Sequence, residues 1–237
     1  MPTRSVDVPL DQLRKKFDYF SVGSDQVWNP NYVDCYRWMF LQFAERDQRV
    51  ALSPSIGMSS LSSPYARRQI SRGLRGFDRL SVRERDGAEL IKQLTGQDAT
   101  VLVDPTLVVT ANSWRSVACG RMVPDRPYVF TYLLGDRSVE QDAYISAVLD
   151  ELDAVQISLS DKARDGEVDA GPAEFIALID GAARVITDSY HASVFSILMG
   201  TPVTIFRRGG VFKSVFQTRN AYADVWTAER SFRRRVF

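Results

Sequence analysis

Histidine is almost absent: among 237 residues there is one, His191. A single imidazole cannot build a histidine-based metal cluster, so no metal site is expected. The two cysteines, Cys35 and Cys119, lie far apart and form no Cys-x-x-Cys pair, and both read as reduced core or surface residues. No uninterrupted apolar run approaches membrane-spanning length, and Met1-Pro2-Thr3-Arg4-Ser5-Val6-Asp7 lacks the apolar stretch of a secretion signal. The expected location is therefore cytoplasmic. An excess of one charge is missing too: 30 basic against 29 acidic residues leave a formal net charge of +1, which gives no footprint for nucleic acid as the main partner. Lysine is scarce beside arginine, a bias that suits recognition of carboxylates and phosphates by a planar fork of donors.

What is present is ordinary core material, 45% hydrophobic and 25% charged residues, enough for one large domain or two small ones. After a short helix at 11–16, apolar strands are expected at 17–22, 49–53, 79–82 and 100–103, with helices at 64–77 and 88–94. Each strand ends in a polar turn: Gly23-Ser24-Asp25-Gln26, Pro54-Ser55-Ile56-Gly57, Arg83-Glu84-Arg85-Asp86-Gly87 and Asp104-Pro105-Thr106. Strand ends of this kind are where open α/β sheets hold ligands. Arg67, Arg68, Arg72 and Arg75 spread around the long helix and read as solvated. Residues 110–126, rich in Ser, Asn, Gly and Pro, read as irregular and as the domain boundary, dividing 1–118 from 124–237. Beyond it the pattern restarts, with strands at 128–133, 155–159, 184–187 and 202–206 and helices at 139–152 and 175–180. The expected fold class is α/β, with parallel sheets and helices on both faces. The tail from Arg207, with Arg208, Arg219, Arg230, Arg233, Arg234 and Arg235 between aromatic residues, reads as a solvated terminus.

One corner stands out. Val185-Ile186-Thr187-Asp188-Ser189-Tyr190-His191 runs from a strand into a helix whose buried face is Val194, Phe195, Ile197 and Leu198. Asp188 or Ser189 can cap that helix, which puts His191 in its first turn. A helix start can hold a phosphate or carboxylate beside the imidazole, and a capped structural turn explains the same residues.

Taken in order, the Asp18-Tyr19-Phe20-Ser21-Val22-Gly23-Ser24-Asp25-Gln26-Val27-Trp28-Asn29 run, Ser81-Val82-Arg83-Glu84, Val103-Asp104-Pro105-Thr106, Gly171-Pro172-Ala173-Glu174-Phe175 and the His191 corner resemble the polysaccharide pyruvyl transferase family, over residues 17–206. Members usually carry a further α/β segment before the Gly-Ser-Asp strand, about half a domain in size. The N-terminal lobe is therefore expected to be shortened, with an uncovered sheet edge and exposed apolar surface that a homo-oligomer would cover. The Arg-containing helical ending of the family is also not evident, Gln217-Thr218-Arg219 being a remnant of it.

The resemblance implies two Rossmann-like lobes in a glycosyltransferase-B-like arrangement, the first on the acceptor side and the second on the donor side of a cleft. It implies transfer of the pyruvyl group of phosphoenolpyruvate, a co-substrate rather than a cofactor, to a terminal sugar of a surface polysaccharide or exopolysaccharide, lipid-linked or free, as a ketal. Arg83 matches the family's donor-binding arginine and His191 its active-site histidine, a general acid/base whose unperturbed pKa lies near neutrality. Donor binding falls to Arg83, Ser189, Tyr190 and His191. Acceptor binding falls to Ser24, Asp25 and Gln26, with Asp25 a base toward a sugar hydroxyl. Asp104 reads as structural. Some branches place Arg-Leu directly before this histidine where this chain has Ser189-Tyr190, so one donor contact must come from backbone N–H groups, the Ser189 hydroxyl or another arginine. Two other readings stay open: a sugar-nucleotide-dependent glycosyltransferase, and an inactive shortened paralogue or fragment that acts as a binding module.

Overall fold

The computed structural model of the protein describes residues 10–31, 36–159 and 169–207. Met1 to Asp7, Cys35, most of the loop at 160–170 and the tail from Arg208, including Gln217-Thr218-Arg219, lie outside the described residues. The chain is mixed α/β with parallel strands, and it divides into two compact units, Met1–Pro105 and Thr106–Phe237.

In the first unit the elements are α1 (Leu10–Lys16), β1 (Phe20–Val22), α2 (Tyr36–Met39), β2 (Arg49–Ala51), α3 (Pro64–Leu74), β3 (Leu80–Val82), α4 (Arg85–Thr95) and β4 (Ala99–Val101). Strand β1 pairs parallel with β2, and β3 pairs parallel with β4. Between β2 and β3 a side chain replaces the ladder: Ser81 Oγ donates to Ala51 O at 2.5 Å and accepts from Ser53 N at 2.8 Å. One side of these strands packs Val22, Ala51, Leu80 and Val82 against Ile70 and Leu74 of α3 and Leu90 and Ile91 of α4. Trp28 closes that core, stacked on Phe40 at 5.4 Å and edge-on to Phe77 at 5.8 Å. Helix α3 starts where Ser63 Oγ accepts from Ala66 N and Pro64 takes the first helical position, and its Arg67, Arg68 and Arg72, with the flanking Arg75, are exposed as expected.

The period of two sends Val50 and Leu52 to the opposite side. There they join Tyr19, Thr100 and Leu102 in a groove of about 610 Å³. Parallel strands are ordinarily covered on both faces, and among the described residues this face is open, with Tyr19 70% and Leu52 48% exposed.

The second unit contains α5 (Ala111–Val117), β5 (Tyr128–Tyr132), α6 (Val139–Leu152), β6 (Val155–Leu159), α7 (Pro172–Asp180), β7 (Arg184–Thr187), α8 (Tyr190–Met199) and β8 (Val203–Ile205). Its sheet is all parallel in the order β6-β5-β7-β8. Both faces are covered. Tyr128, Phe130 and Val185 pack with Ile176, Leu178 and Ile179 of α7 and Phe195 of α8, while Val129 and Ile186 point the other way onto Ile145 and Val148 of α6.

The stretch at 110–126, expected to be irregular, contains α5 and a 3-10 turn at Gly120–Met122. Thr110 caps α5 by accepting from Ser113 N, and Trp114 fixes it, edge-on to Phe195 at 5.1 Å with Nε1 donating to Thr106 O at 3.1 Å. Cap residues had read as loop residues because the same side chains serve both purposes. Helix starts also move: α4 begins at Arg85 rather than residue 88, and α7 at Pro172 rather than residue 175.

Candidate active site

In the first unit the polar residues gather beyond the ends of β1, β2, β3 and β4. Gly23 begins this corner with φ +142, and a Cβ there would collide with Leu52 O. Only glycine lets the chain pass so close to β2. Ser24 Oγ donates to Asp104 Oδ2 at 2.9 Å, and Arg83 Nη1 donates to the same oxygen at 2.8 Å. Arg83 and Asp104 are both buried, with side chains 6% and 2% exposed. A buried charge needs a partner, and Asp104, accepting from both Ser24 and Arg83, locks the Ser24 turn to the end of β3. Asp25 is exposed and its Oδ1 accepts from Gln26 N at 2.7 Å. Gln26 Oε1 accepts from Asn29 Nδ2 at 2.8 Å.

A second buried carboxylate supports the same corner and was missed in the sequence as a site residue. Glu84 is 5% exposed, and its Oε1 accepts from Ser55 Oγ at 2.9 Å, Ile56 N at 2.9 Å and Gly57 N at 3.2 Å. Its Oε2 has no hydrogen-bond partner among the described residues. Burial pushes the Glu84 carboxyl above the usual range, against the opposing pull of the Arg83 guanidinium and the donors of Gly57, Ser55 and Ile56. The loop that Glu84 holds is itself laced to the Ser24 turn: Ser55 N donates to Asp25 O at 2.9 Å, and Trp28 N donates to Ser55 O at 3.1 Å. Gly57, at φ +70, lies so close that a Cβ would meet Gln26 Oε1 at 2.6 Å and Asn29 Nδ2 at 2.8 Å. The only advance signal was an Arg-Glu pair at a strand end, since all three donors come from residues far away in the chain.

In the second unit the His191 corner has the expected shape. Ser189 caps α8, its Oγ accepting from Ala192 N at 3.4 Å, and Ser193 Oγ donates back to Ser189 O at 2.7 Å. Asp188, the other candidate cap, does different work. Its Oδ1 accepts from Leu134 N at 2.7 Å and its Oδ2 from Gly135 N at 3.0 Å, tying the loop after β5 to the corner after β7. Thr187 Oγ1 donates to Tyr132 O at 2.5 Å and accepts from Ser189 N at 3.0 Å. His191 is half-buried in the first turn of α8, with the Tyr190 ring edge-on to it at 5.4 Å.

The structure thus gathers Ser24, Asp25, Gln26 and Arg83 on adjoining loops of one unit, and Ser189, Tyr190 and His191 on one turn of the other. Hydroxyl, carboxylate and amide groups at the first corner suit a polyol. An imidazole at a helix start suits an anion that must also exchange a proton.

The family model for polysaccharide pyruvyl transferases matches residues 3–209, a span that includes both corners. The chain belongs to the polysaccharide pyruvyl transferase family. Comparison with curated proteins finds no match, and comparison with solved structures finds none. Family membership makes the chain a member of a group of transferases that act in polysaccharide synthesis. No helix among the described residues is long and apolar enough to cross a membrane.

Proposed function

We propose that the protein transfers the pyruvyl group of phosphoenolpyruvate to two hydroxyls of a terminal sugar, forming a ketal on a surface polysaccharide or exopolysaccharide. The observation that carries this reading is the family match over residues 3–209, which takes in the Arg83 and His191 corners. In this reading each compact unit is one Rossmann-like lobe of a glycosyltransferase-B-like protein, and the second supplies the donor corner.

The chemistry requires an acid, an anion cradle and no redox step. His191 protonates the methylene carbon of the enol phosphate, one sugar hydroxyl adds to the adjacent carbon, and the C–O bond to phosphate breaks. The second hydroxyl then closes the ketal. Of the two hydroxyl protons, one replaces the proton that went to the new methyl group and the other leaves with phosphate. In the second unit Ser189, Tyr190 and His191 are assigned to the donor, and in the first unit Arg83, held by Asp104, is the family's donor-binding arginine by its motif. Ser24, Asp25 and Gln26 bind the acceptor, with Asp25, whose carboxylate is at the surface, taking a hydroxyl proton.

The experiment is thermal unfolding with millimolar phosphoenolpyruvate, followed by phosphate release in the presence of candidate glycans. The donor should raise the melting temperature by mass action. His191→Ala should remove turnover, and Arg83→Lys, which keeps a charge opposite Asp104 but loses the planar fork, should weaken the shift. An unchanged melting curve for the wild-type protein, or equal turnover by His191→Ala, refutes this reading. A shift with a sugar nucleotide and none with phosphoenolpyruvate would instead mark a sugar-nucleotide glycosyltransferase.

A further inference from the structure

Past Gly57 the chain of the first unit runs through 58–63 into α3 and, together with Pro30 and Asn31, encloses a cavity of about 350 Å³. That volume falls within the range of small-molecule pockets, about 300 to 1,000 Å³. The cavity adjoins the corner of Ser24, Asp25 and Gln26 through a short series of contacts. Asn31 N donates to Asn29 Oδ1 at 3.0 Å, and Asn29 Nδ2 donates to Gln26 Oε1 at 2.8 Å. Gly57, pressed against Gln26 and Asn29, leads directly into Met58, whose Sδ accepts from Asn31 Nδ2 at 3.8 Å.

The lining matches a neutral sugar. Leu61 and Ala66 are buried and, with Met58, give an apolar wall. Tyr65, the second residue of α3, lines the same cavity and is 67% exposed, so its ring is open to a ligand. Asn31 and Ser62 are exposed and bring an amide and a hydroxyl. None of the lining residues carries a charge. Arg67, which follows Ala66, donates through Nη1 to Leu61 O at 3.4 Å and so holds the loop that forms the wall. A pyranose has faces of C–H groups, whose positive hydrogens suit the negative face of an aromatic ring, and a rim of hydroxyls that suit amide and hydroxyl partners. A phosphate or carboxylate would find no countercharge in this lining.

The place of the cavity decides which sugar. The family acts in polysaccharide synthesis, and an acceptor whose terminal sugar lies at Ser24, Asp25 and Gln26 must leave that corner as a chain. The Asn29 side chain bridges Gln26 and Asn31 directly, which puts the cavity within reach of the next unit of that chain. We infer that the cavity is a second acceptor subsite: it takes the neutral sugar next to the terminal one, with the Tyr65 ring against its C–H face and Asn31 and Ser62 bonding its hydroxyls. This inference rests on the acceptor assignment in the proposed pyruvyl transfer, and it names Tyr65 and Asn31 as residues that set acceptor specificity, which the motifs did not.

The test measures dissociation constants by ligand-observed NMR for the methyl glycosides of glucose, galactose and mannose, and for neutral disaccharides that carry each of these at the non-reducing end. The proteins are the wild type, Tyr65→Ala, Tyr65→Phe, Asn31→Ala and Tyr19→Ala. Tyr19 is as exposed as Tyr65 but lines the groove on the open side of the strands, so its substitution removes the same ring away from the cavity. For at least one terminal sugar the wild type should bind the disaccharide about 3- to 10-fold more tightly than the methyl glycoside, the worth of one aromatic contact. Tyr65→Ala should remove this preference and leave binding of the methyl glycoside within about twofold of wild type. Asn31→Ala should reduce the preference, and Tyr65→Phe and Tyr19→Ala should keep it. A preference that survives in Tyr65→Ala, or is lost equally in Tyr19→Ala, overturns the subsite. So does a wild-type protein that binds no disaccharide of the panel more tightly than its methyl glycoside. The melting shift with phosphoenolpyruvate, run beside these titrations, separates the two readings: present without a disaccharide preference, it leaves the proposed function standing, and absent with no sugar bound, it overturns both.

Discussion

Replacing Glu84 tests whether a buried carboxylate frames the first corner. Alanine would strand the amides of Ile56 and Gly57 and the hydroxyl of Ser55, all of which now donate to Oε1. At about 1 to 3 kcal/mol for each stranded group, the loss should be about 4 kcal/mol. Glutamine keeps an acceptor oxygen in the same place and puts its amide nitrogen where Oε2 has no partner among the described residues. It should therefore cost less than about 1.5 kcal/mol at neutral pH. The pH dependence separates the two forms of the carboxyl. Burial raises the folded carboxyl above its unfolded value, so the folded state holds its proton longer. Wild-type stability relative to Glu84→Gln should then be highest below the ordinary carboxylate value of about 4.3 and should fall as pH rises from there through the folded value. Because the chain has two compact units, a single melting curve mixes their transitions, and hydrogen exchange of a peptide covering 53–57 reports the corner directly. A difference between wild type and Glu84→Gln that stays constant from about pH 4.5 to about pH 7.5, or grows in favour of the wild type, refutes the reasoning.

Three other substitutions probe separate supports. Gly23→Ala places a methyl group against Leu52 O at a φ that disfavours side chains, and should destabilise the first unit by about 3 kcal/mol in urea unfolding; a loss below about 1 kcal/mol would mean that the turn relaxes freely. Tyr128→Phe removes a buried hydroxyl that donates to Leu178 O at 2.9 Å and should cost about 1 kcal/mol. Burial pushes the Tyr128 hydroxyl up to about 12, so its contribution holds below an unfolded value of about 10 and is lost as pH rises toward the folded one; phenolate absorbance at that position below about pH 10 would contradict this. Asp188→Asn leaves one acceptor oxygen for two backbone donors, and should cost about 2 kcal/mol while raising hydrogen exchange in a peptide covering 133–137; unchanged exchange would show that the loop is held by other contacts.

The second unit was more legible than the first, and the reason is burial. Strands β6 and β7 and helix α6 occupy the spans that the sequence suggested, because residues such as Val129, Phe130, Val185 and Ile186 are buried on both faces of the sheet and leave unbroken apolar runs. Strands β1 to β4 are each three residues long and are covered on one side among the described residues, so their apolar runs continue into Phe17, Leu52 and Val103, which lie outside the ladders and are exposed. Capping chemistry was only half legible. Asp188 and Ser189 both suit a helix start, and nothing local says that Asp188 turns instead toward Leu134 and Gly135, 54 and 53 residues earlier. Glu84 was hidden for the same reason, since its donors lie 27 to 29 residues before it.

Those long-range carboxylates have a common physical logic. Where parallel strands end side by side, the loops that follow carry polar groups with no ladder to join, and leaving such groups buried without partners is costly. Asp104 and Asp188, each 2% exposed, meet that need in their own units by joining strand-end loops: Asp104 accepts from Ser24 after β1 and Arg83 after β3, and Asp188 accepts from the Leu134 and Gly135 amides after β5. The bonds at Asp104 hold two side chains that are themselves assigned to substrate, whereas those from Leu134 and Gly135 to Asp188 hold backbone. Ser189 does its positioning within one turn, its hydroxyl capping α8. Positioning and binding are thus coupled at Asp104, and at Asp188 the loop amides are held directly. Asp188→Asn should therefore raise hydrogen exchange at 133–137, whereas Asp104→Asn should weaken substrate binding as well as stability, because it loosens Ser24 and Arg83 directly; equal substrate binding by Asp104→Asn and the wild type would refute this.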